Sequence, residues 1–161
     1  MSELDESGPR GRLVLVTAAW PEPRAALASA VARRLGRAVV VDGAALERAV
    51  ATGDATGWDE PPTSEQLRMR LLRWSAALAV AETYQLEGFD AVVAEEALGD
   101  RLEDFLDLVE PEPVHVVVVR DDADPTTPRW GLWVDGAGPV EATAEDVVGR
   151  LGDALVATSA T

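Results

Sequence analysis

The chain has 161 residues, of which 14 are basic and 29 acidic, so its formal net charge at pH 7 is −15. All of the basic residues are arginines, and lysine, asparagine, isoleucine and cysteine are absent. This composition excludes thiol nucleophiles, disulfides, cysteine-bound metals and Schiff-base lysines, and the charge argues against nucleic acid and anionic membranes as partners. His115 is the only histidine, which excludes a two-histidine metal site within one chain.

The length suits one domain, and a hydrophobic content of 47% is typical of a folded protein. No apolar run is long enough to span a membrane, and the acidic amino terminus lacks the apolar core of a signal peptide. We therefore expect a cytoplasmic protein with a disordered leader over residues 1–11, one domain over 12–157 and a tail over 158–161.

Short valine-rich runs alternate with helical patterns along the chain. The runs have the composition of strands buried on both faces, and turn residues separate them from the helices. Predicted strands cover 13–16, 38–41, 90–94, 114–119 and 132–134. Predicted helices cover 22–35, 44–51, 63–88, 100–108 and 144–157. This order indicates an α/β fold with three layers, in which helices cover both faces of a doubly wound, five-stranded parallel sheet.

The longest predicted helix has two recognisable features. Thr63 and Gln66 form a plausible capping box at its start. Apolar residues then recur at helical spacing and mark one face, at Leu67, Leu71, Trp74 and Leu78.

Four short motifs occur in order along the domain: Ala-Arg-Arg-Leu-Gly at 32–36, Val-Asp-Gly at 41–43, Gly-Asp-Arg-Leu at 99–102 and Gly-Leu-Trp-Val-Asp at 131–135. With them, the chain resembles the P-loop small-molecule kinases, in particular the branch of chloramphenicol-phosphotransferase-like and zeta-toxin-like proteins. The resemblance covers residues 12–157. It implies the kinase-like fold of P-loop NTPases, with a phosphate-binding Gly-x-x-x-x-Gly-Lys-Ser/Thr turn between the first strand and the first helix.

That turn departs from the motif at each of its defining positions. Counting from Thr17, Ala18 and Pro23 stand where the glycines belong, Arg24 replaces the lysine and Ala25 replaces the Ser/Thr. Proline has no N–H to offer a phosphate, alanine has no hydroxyl for magnesium, and the planar guanidinium does not replace a lysine point charge. These changes predict loss of ordinary ATP binding. Two alternatives for Arg24 are capture of another anion at the helix start and a plain solvated arginine.

Three acidic residues follow predicted strands. Asp42 lies where the resemblance places the carboxylate that accepts a proton from the substrate hydroxyl, although Asp-Gly is also a common turn after a strand. Glu95 and Glu96 lie where the resemblance places an acid that organises magnesium. The alternative is an acidic pair that starts a helix.

Other candidate cleft residues lie on or near the long helix. Arg70 and Arg73 are close enough around the helix to form a small anion pocket, or they belong to a solvated face paired with local acids. Trp58 could line the cleft or pack in the core or at an interface. The ten-residue link 120–129 contains prolines and no helical periodicity, so we expect no catalytic lid there.

These observations lead to one main hypothesis and two alternatives. The main hypothesis is a pseudoenzyme that binds a small molecule or a protein partner, possibly a second copy of itself, without cofactor or metal. The first alternative is a divergent ATP-dependent phosphotransferase in which Arg24 holds phosphate, Asp42 is the base and Glu95 or Glu96 organises magnesium, with Mg-ATP as the cofactor. The second is an enzyme of different chemistry that uses the cleft carboxylates without a nucleotide.

Overall fold

The computed structural model describes residues 9–53 and 57–157, so the predicted tail and the first eight residues of the predicted leader lie outside the described residues. The strands are β1 (Leu13–Thr17), β2 (Ala38–Asp42), β3 (Asp90–Ala94), β4 (Val114–Val119), β5 (Leu132–Val134) and β6 (Leu155–Val156). The helices are α1 (Pro21–Arg34), α2 (Gly43–Ala49), α3 (Ser64–Gln85), α4 (Arg101–Val109) and α5 (Val140–Gly149).

The first five strands form a parallel sheet in the order β2-β3-β1-β4-β5. In the register of the central strands, Leu15 of β1 lies opposite Val93 of β3 and Val116 of β4. The short strand β6 was not predicted, and it pairs antiparallel with the start of β4. The predicted fold class, a doubly wound parallel sheet, is confirmed.

Alternate side chains of the strands form two separate apolar cores, as expected for a sheet covered on both faces. Val14 and Val16 of β1 pack in the same core as residues of α1 and α5. Leu15 packs on the other face with Trp74 of α3 and Phe105 of α4, whose rings meet edge to face. The sheet is therefore the middle layer of three. The edge at which its parallel strands end is available for a ligand-binding site.

The long helix α3 confirms one prediction and corrects another. The capping box is present, because Thr63 accepts from the Gln66 backbone N–H and the Gln66 side chain accepts from the Thr63 N–H. However, Leu67 and Leu71 are 44% and 42% exposed, and Trp74, Ala77 and Ala81 form the buried face. The alanines let the helix approach the sheet closely, so the leucines of its first half are left at the surface.

The end of the domain also differs from the predicted helix over 144–157. Helix α5 starts earlier and ends at Gly149, and a 3₁₀ turn over Leu151–Ala154 leads into β6. Glycine disfavours helix, and Gly149 and Gly152 both fall where a continuous helix would have to pass. No helix in the described parts of the chain is long and apolar enough to cross a bilayer.

The start of the domain is held by Arg12 and Asp90. The Asp90 carboxylate accepts hydrogen bonds from the Arg12 backbone N–H at 2.7 Å and from its guanidinium at 2.8 and 3.1 Å. Burial alone would raise the pKa of Asp90, but the hydrogen bonds and charge of Arg12 hold it below its ordinary value. The pair therefore stabilises the folded state when the carboxyl is ionised.

Asp90→Asn is expected to lower the free energy of unfolding at neutral pH by about 1–2 kcal/mol. Because the folded-state pKa is lowered, this contribution is present above the unfolded pKa of about 3.9 and is lost as the pH falls through the folded-state value. Urea denaturation at neutral pH and at about pH 3 measures both effects, and the difference between wild type and variant should shrink in acid. A difference that stays constant or grows in acid contradicts this assignment.

Candidate functional site

Charged side chains gather at the carboxyl ends of β1, β2 and β3, the edge at which open parallel sheets bind ligands. Asp42 ends β2, Glu95 follows β3, and Arg24 lies in the first turn of α1, directly after β1. Arg24 interacts electrostatically with Asp42, Glu95, Glu96 and Arg73. The fold thus brings together most of the residues that the sequence marked as candidates.

The turn between β1 and α1 is short and poor in donors. It consists of Ala18–Trp20, and α1 begins at Pro21. Among the first three residues of α1 only Glu22 carries a backbone N–H, because the other two are prolines. Ala25, the residue after Arg24, is half-buried and has no hydroxyl group. The helix start is therefore a weak anion cradle.

Arg24 is folded back onto the turn that precedes its own helix. Its Nη1 donates a hydrogen bond to the Ala18 carbonyl at 2.9 Å, and the residue is only 5% exposed. Burial lowers the pKa of Arg24, and the charges of Glu95 and Glu96 oppose that effect. Its Nε–H is buried without a hydrogen-bond partner among the described residues. The guanidinium thus occupies the turn itself.

Thr17, the last residue of β1, also serves the protein's own backbone. Its hydroxyl oxygen accepts a hydrogen bond from the Ala97 N–H at 2.8 Å, and both residues are buried. This contact ties β1 to the segment that follows β3.

Glu95 is fully buried and held by an arginine from α3. Its two carboxylate oxygens accept hydrogen bonds from Nε and Nη2 of Arg73 at 2.8 and 2.9 Å, a bidentate ion pair. The remaining Nη1 of Arg73 donates to Glu47 of α2 at 2.8 Å. Burial alone would lower the pKa of Arg73, but hydrogen bonding to Glu95 and the charges of Glu95 and Glu47 raise it. Arg73 therefore links β3, α2 and α3.

The start of α2 packs against the Glu95 carboxylate. Asp42 caps the helix by accepting a hydrogen bond from the Ala44 N–H at 3.1 Å. Gly43, the first helical residue, is buried so closely against Glu95 that a Cβ there would overlap the carboxylate. Glycine is needed here for space rather than for an unusual backbone angle.

Trp58 lies between two arginines at the outer side of this network. The Arg70 guanidinium is 4.1 Å from the centre of its ring and that of Arg101 is 5.2 Å away, both within cation–π range. Arg101 also forms an ion pair with Glu96 at 2.8 Å, whereas Arg70 makes a 3.4 Å hydrogen bond to the Glu96 carbonyl. Trp58 is thus a half-buried platform for cationic side chains.

The link over 120–129 contains no helix. Arg120 holds this link beside the sheet, because its guanidinium donates hydrogen bonds to Asp135 at 3.2 Å and to the Trp133 carbonyl at 2.9 Å. The buried Thr127 hydroxyl accepts from the Gly99 N–H at 2.6 Å. This segment is a short packed connection between β4 and β5.

Sequence reasoning missed three residues of this network: Gly43, Glu47 and Arg101. Arg101 is the first residue of α4, a position that could have marked it, whereas Glu47 lies in the second half of α2 and carried no such signal. Gly43 carried only the signal of a turn, because its closeness to Glu95 depends on how α2 packs beside β3.

The chain matches no protein-family model, and no curated protein matches it significantly. Solved structures do resemble it. A cysteine-to-alanine mutant of the APS kinase CysC from Mycobacterium tuberculosis superposes with a TM-score of 0.63 at 17% identity, over 90% of this chain and 99% of that one. A sugar kinase from a Janibacter species has a TM-score of 0.57 at 16% identity, over 89% and 96% of the two chains.

A gluconokinase from Sinorhizobium meliloti is similar in the same way, with a TM-score of 0.54 at 14% identity, over 90% of this chain and 94% of that one. Likeness at such low identity shows the fold and not the activity. The chain therefore has the fold of the P-loop kinases. What it does must be argued from its own site.

Proposed function

We propose that this chain is a kinase-like protein that has lost ATP binding and phosphoryl transfer and acts by binding a small molecule or a protein partner. A P-loop holds phosphates with inward-facing backbone N–H groups, a lysine and a Ser/Thr that binds magnesium. At the corresponding place this chain has a three-residue turn, two prolines and no hydroxyl.

The single observation that carries the proposal is the position of Arg24. This cation takes the place of the P-loop lysine in sequence, yet it is buried and donates to the Ala18 carbonyl. A phosphate at the turn would have to share the guanidinium with the Ala18 carbonyl and find its remaining donors elsewhere. The contact supports the view that the turn is closed by the protein's own side chain.

The ion pair of Glu95 supports the same proposal. A carboxylate that helps to hold magnesium must offer an oxygen to the ion or to its water shell. Both oxygens of Glu95 are hydrogen-bonded to Arg73, in a space closed by Gly43. The residues at this edge therefore do not fit a magnesium–nucleotide complex, and we derive no catalytic step through one.

Isothermal titration with Mg-ATP and Mg-GTP tests the proposal, together with a thermal-shift series and an assay of nucleotide hydrolysis. We expect no dissociation constant below the millimolar range and no hydrolysis, because typical P-loop contacts are absent. Arg24→Ala is then expected to leave the titration unchanged, as is Arg48→Ala, a control at an exposed arginine on α2.

The opposite result has a specific meaning. Submillimolar binding that Arg24→Ala abolishes and Arg48→Ala preserves would overturn the proposal. It would favour a divergent phosphotransferase, with Arg24 on phosphate and Asp42 as the base.

A further inference from the structure

A groove between α3 and α4 lies beside the charged network, and we name it the α3–α4 groove. It has a volume of about 330 Å³ and is lined by Trp58, Leu67, Leu71, Trp74, Arg101 and Leu108, among others. This volume falls within the range of small-molecule sites, about 300–1,000 Å³. On the other side of Trp58, the cavity between α2 and α3 measures only about 180 Å³. The α3–α4 groove is therefore the better container for a ligand.

The groove has apolar walls that the fold leaves uncovered. Leu67 and Leu71, one turn apart on α3, and Leu108 of α4 are each more than 40% exposed. Exposed leucines are ordinary when scattered, but here three of them line one concave surface. They offer a place for the apolar body of a ligand.

Trp74 adds a hydrogen-bond donor without an acceptor. The residue is 1% exposed and lines the groove, and its indole N–H has no partner among the described residues. The indoles of Trp20, Trp58 and Trp133 do donate, to Asp122, Glu60 and the Trp130 carbonyl. Buried donors in native proteins are nearly always satisfied, so this one is available to an acceptor on a ligand once the indole shifts to expose its buried Nε1 atom.

Arg70 adds positive charge to the same groove. It lies one helical turn before Trp74 and, within the described parts of the chain, no carboxylate comes within ion-pair distance of it. Burial, and then the neighbouring charge of Arg73, lower its pKa. An anion bound here would offset both effects. The acidic residues that line the groove, Asp104 and Asp107, are exposed, whereas Arg70 and Arg101 are half-buried.

We propose that the α3–α4 groove binds a small amphipathic carboxylate, with its apolar body against the leucines and its carboxylate on Arg70 and the Trp74 indole N–H. This inference rests on the proposed function, since it names the class of small molecule that a binding protein of this kind would take. Carboxylate oxygens accept from both an indole N–H and a guanidinium, and a charge-assisted bond to arginine is the stronger of the two.

Proton–nitrogen correlation NMR of the full chain tests the proposal with three probes: phenylbutyrate, phenylbutanol and phenylbutylamine. They share the phenylbutyl group and differ in the charge of the polar end. We expect phenylbutyrate to bind most tightly and to move the Trp74 indole resonance downfield, as a new hydrogen bond does. Arg70→Gln should weaken phenylbutyrate about tenfold or more and leave phenylbutanol almost unchanged. Arg48→Gln, at an exposed arginine outside the groove, is the matched control.

Three results would overturn the proposal: equal or tighter binding of phenylbutylamine, an unmoved Trp74 resonance at saturation, or equal losses in the two arginine variants. Asp104→Asn gives an independent check that leaves Arg70 and Trp74 unchanged. It should strengthen phenylbutyrate binding, because it removes a negative charge from the groove, and weaker binding would contradict an anion site there.

The same samples separate this proposal from the proposed function. Nucleotide binding would move backbone resonances of β1, of α1 and of the turn over residues 18–20 that connects them. Phenylbutyrate should instead move backbone resonances of α3 and α4. Failure of phenylbutyrate to bind leaves the loss of ATP binding untouched, and ATP binding would refute the proposed function without deciding what the groove holds.

Discussion

Arg73→Met is expected to lower the free energy of unfolding by about 3–5 kcal/mol, because it leaves the Glu95 carboxylate buried and unpaired. Glu95 has no exposed surface, and Arg73 supplies both of its guanidinium hydrogen bonds. Methionine retains much of the apolar length of the arginine, so the loss reports mainly on charge and hydrogen bonding. Urea denaturation followed by far-UV circular dichroism measures it.

Two further variants give this prediction its controls. The double variant Arg73→Met/Glu95→Gln removes the isolated charge and should recover much of the loss, as replacing a whole buried pair often does. Arg68→Met breaks the exposed pair between Arg68 and Glu65 on the same helix and should have little effect. If Arg73→Met proves as mild as Arg68→Met, Glu95 does not depend on its arginine.

Gly43→Ala is expected to destabilise the protein by about 1–3 kcal/mol, the range for overpacking a filled interior. The added methyl group would overlap the Glu95 carboxylate, which cannot move without weakening its pair with Arg73. Helix propensity alone favours alanine over glycine at a helical position, so the predicted sign is opposite to that of the local preference.

Gly36→Ala is the matched glycine control. A Cβ at Gly36 would meet no atom within 4 Å, and the substitution should be neutral or slightly stabilising, since it restricts the unfolded chain. Thermal unfolding of the two variants side by side separates the effects. Equal stability of both would contradict the close packing of α2 on Glu95.

The arginines of the site are bonded within the protein, although the Nε–H groups of Arg24 and Arg101 are buried without a partner among the described residues. Arg24 bonds to its own turn, Arg73 pairs with Glu95 and Glu47, and Arg101 pairs with Glu96. A catalytic cleft keeps such groups available to a substrate. In the described part of this cleft, Arg24 and Arg70 are the arginines without an ion pair, and of these two Arg70 lines the α3–α4 groove.

Much of the fold could be predicted because the signals are local. The runs at 90–94, 114–119 and 132–134 are strands with the predicted bounds, since valine-rich segments between turns fit strands buried on both faces. The buried face of the longest helix was misjudged for a nonlocal reason. Helix α3 buries its alanines rather than Leu67 and Leu71, because close approach to the sheet selects the small residues.

By itself, the sequence determined the α/β class and the capping box at Thr63, and it predicted that the turn after β1 lacks the defining residues of a phosphate-binding motif. These follow from residue types and from spacing along the chain. Only the tertiary structure decided that Arg24 turns back onto Ala18, that Arg73 reaches Glu95, and that Gly43 leaves room for that carboxylate. The two contacts of Glu95 join segments that are far apart in the sequence, and the distances in all three contacts depend on packing rather than on local propensity.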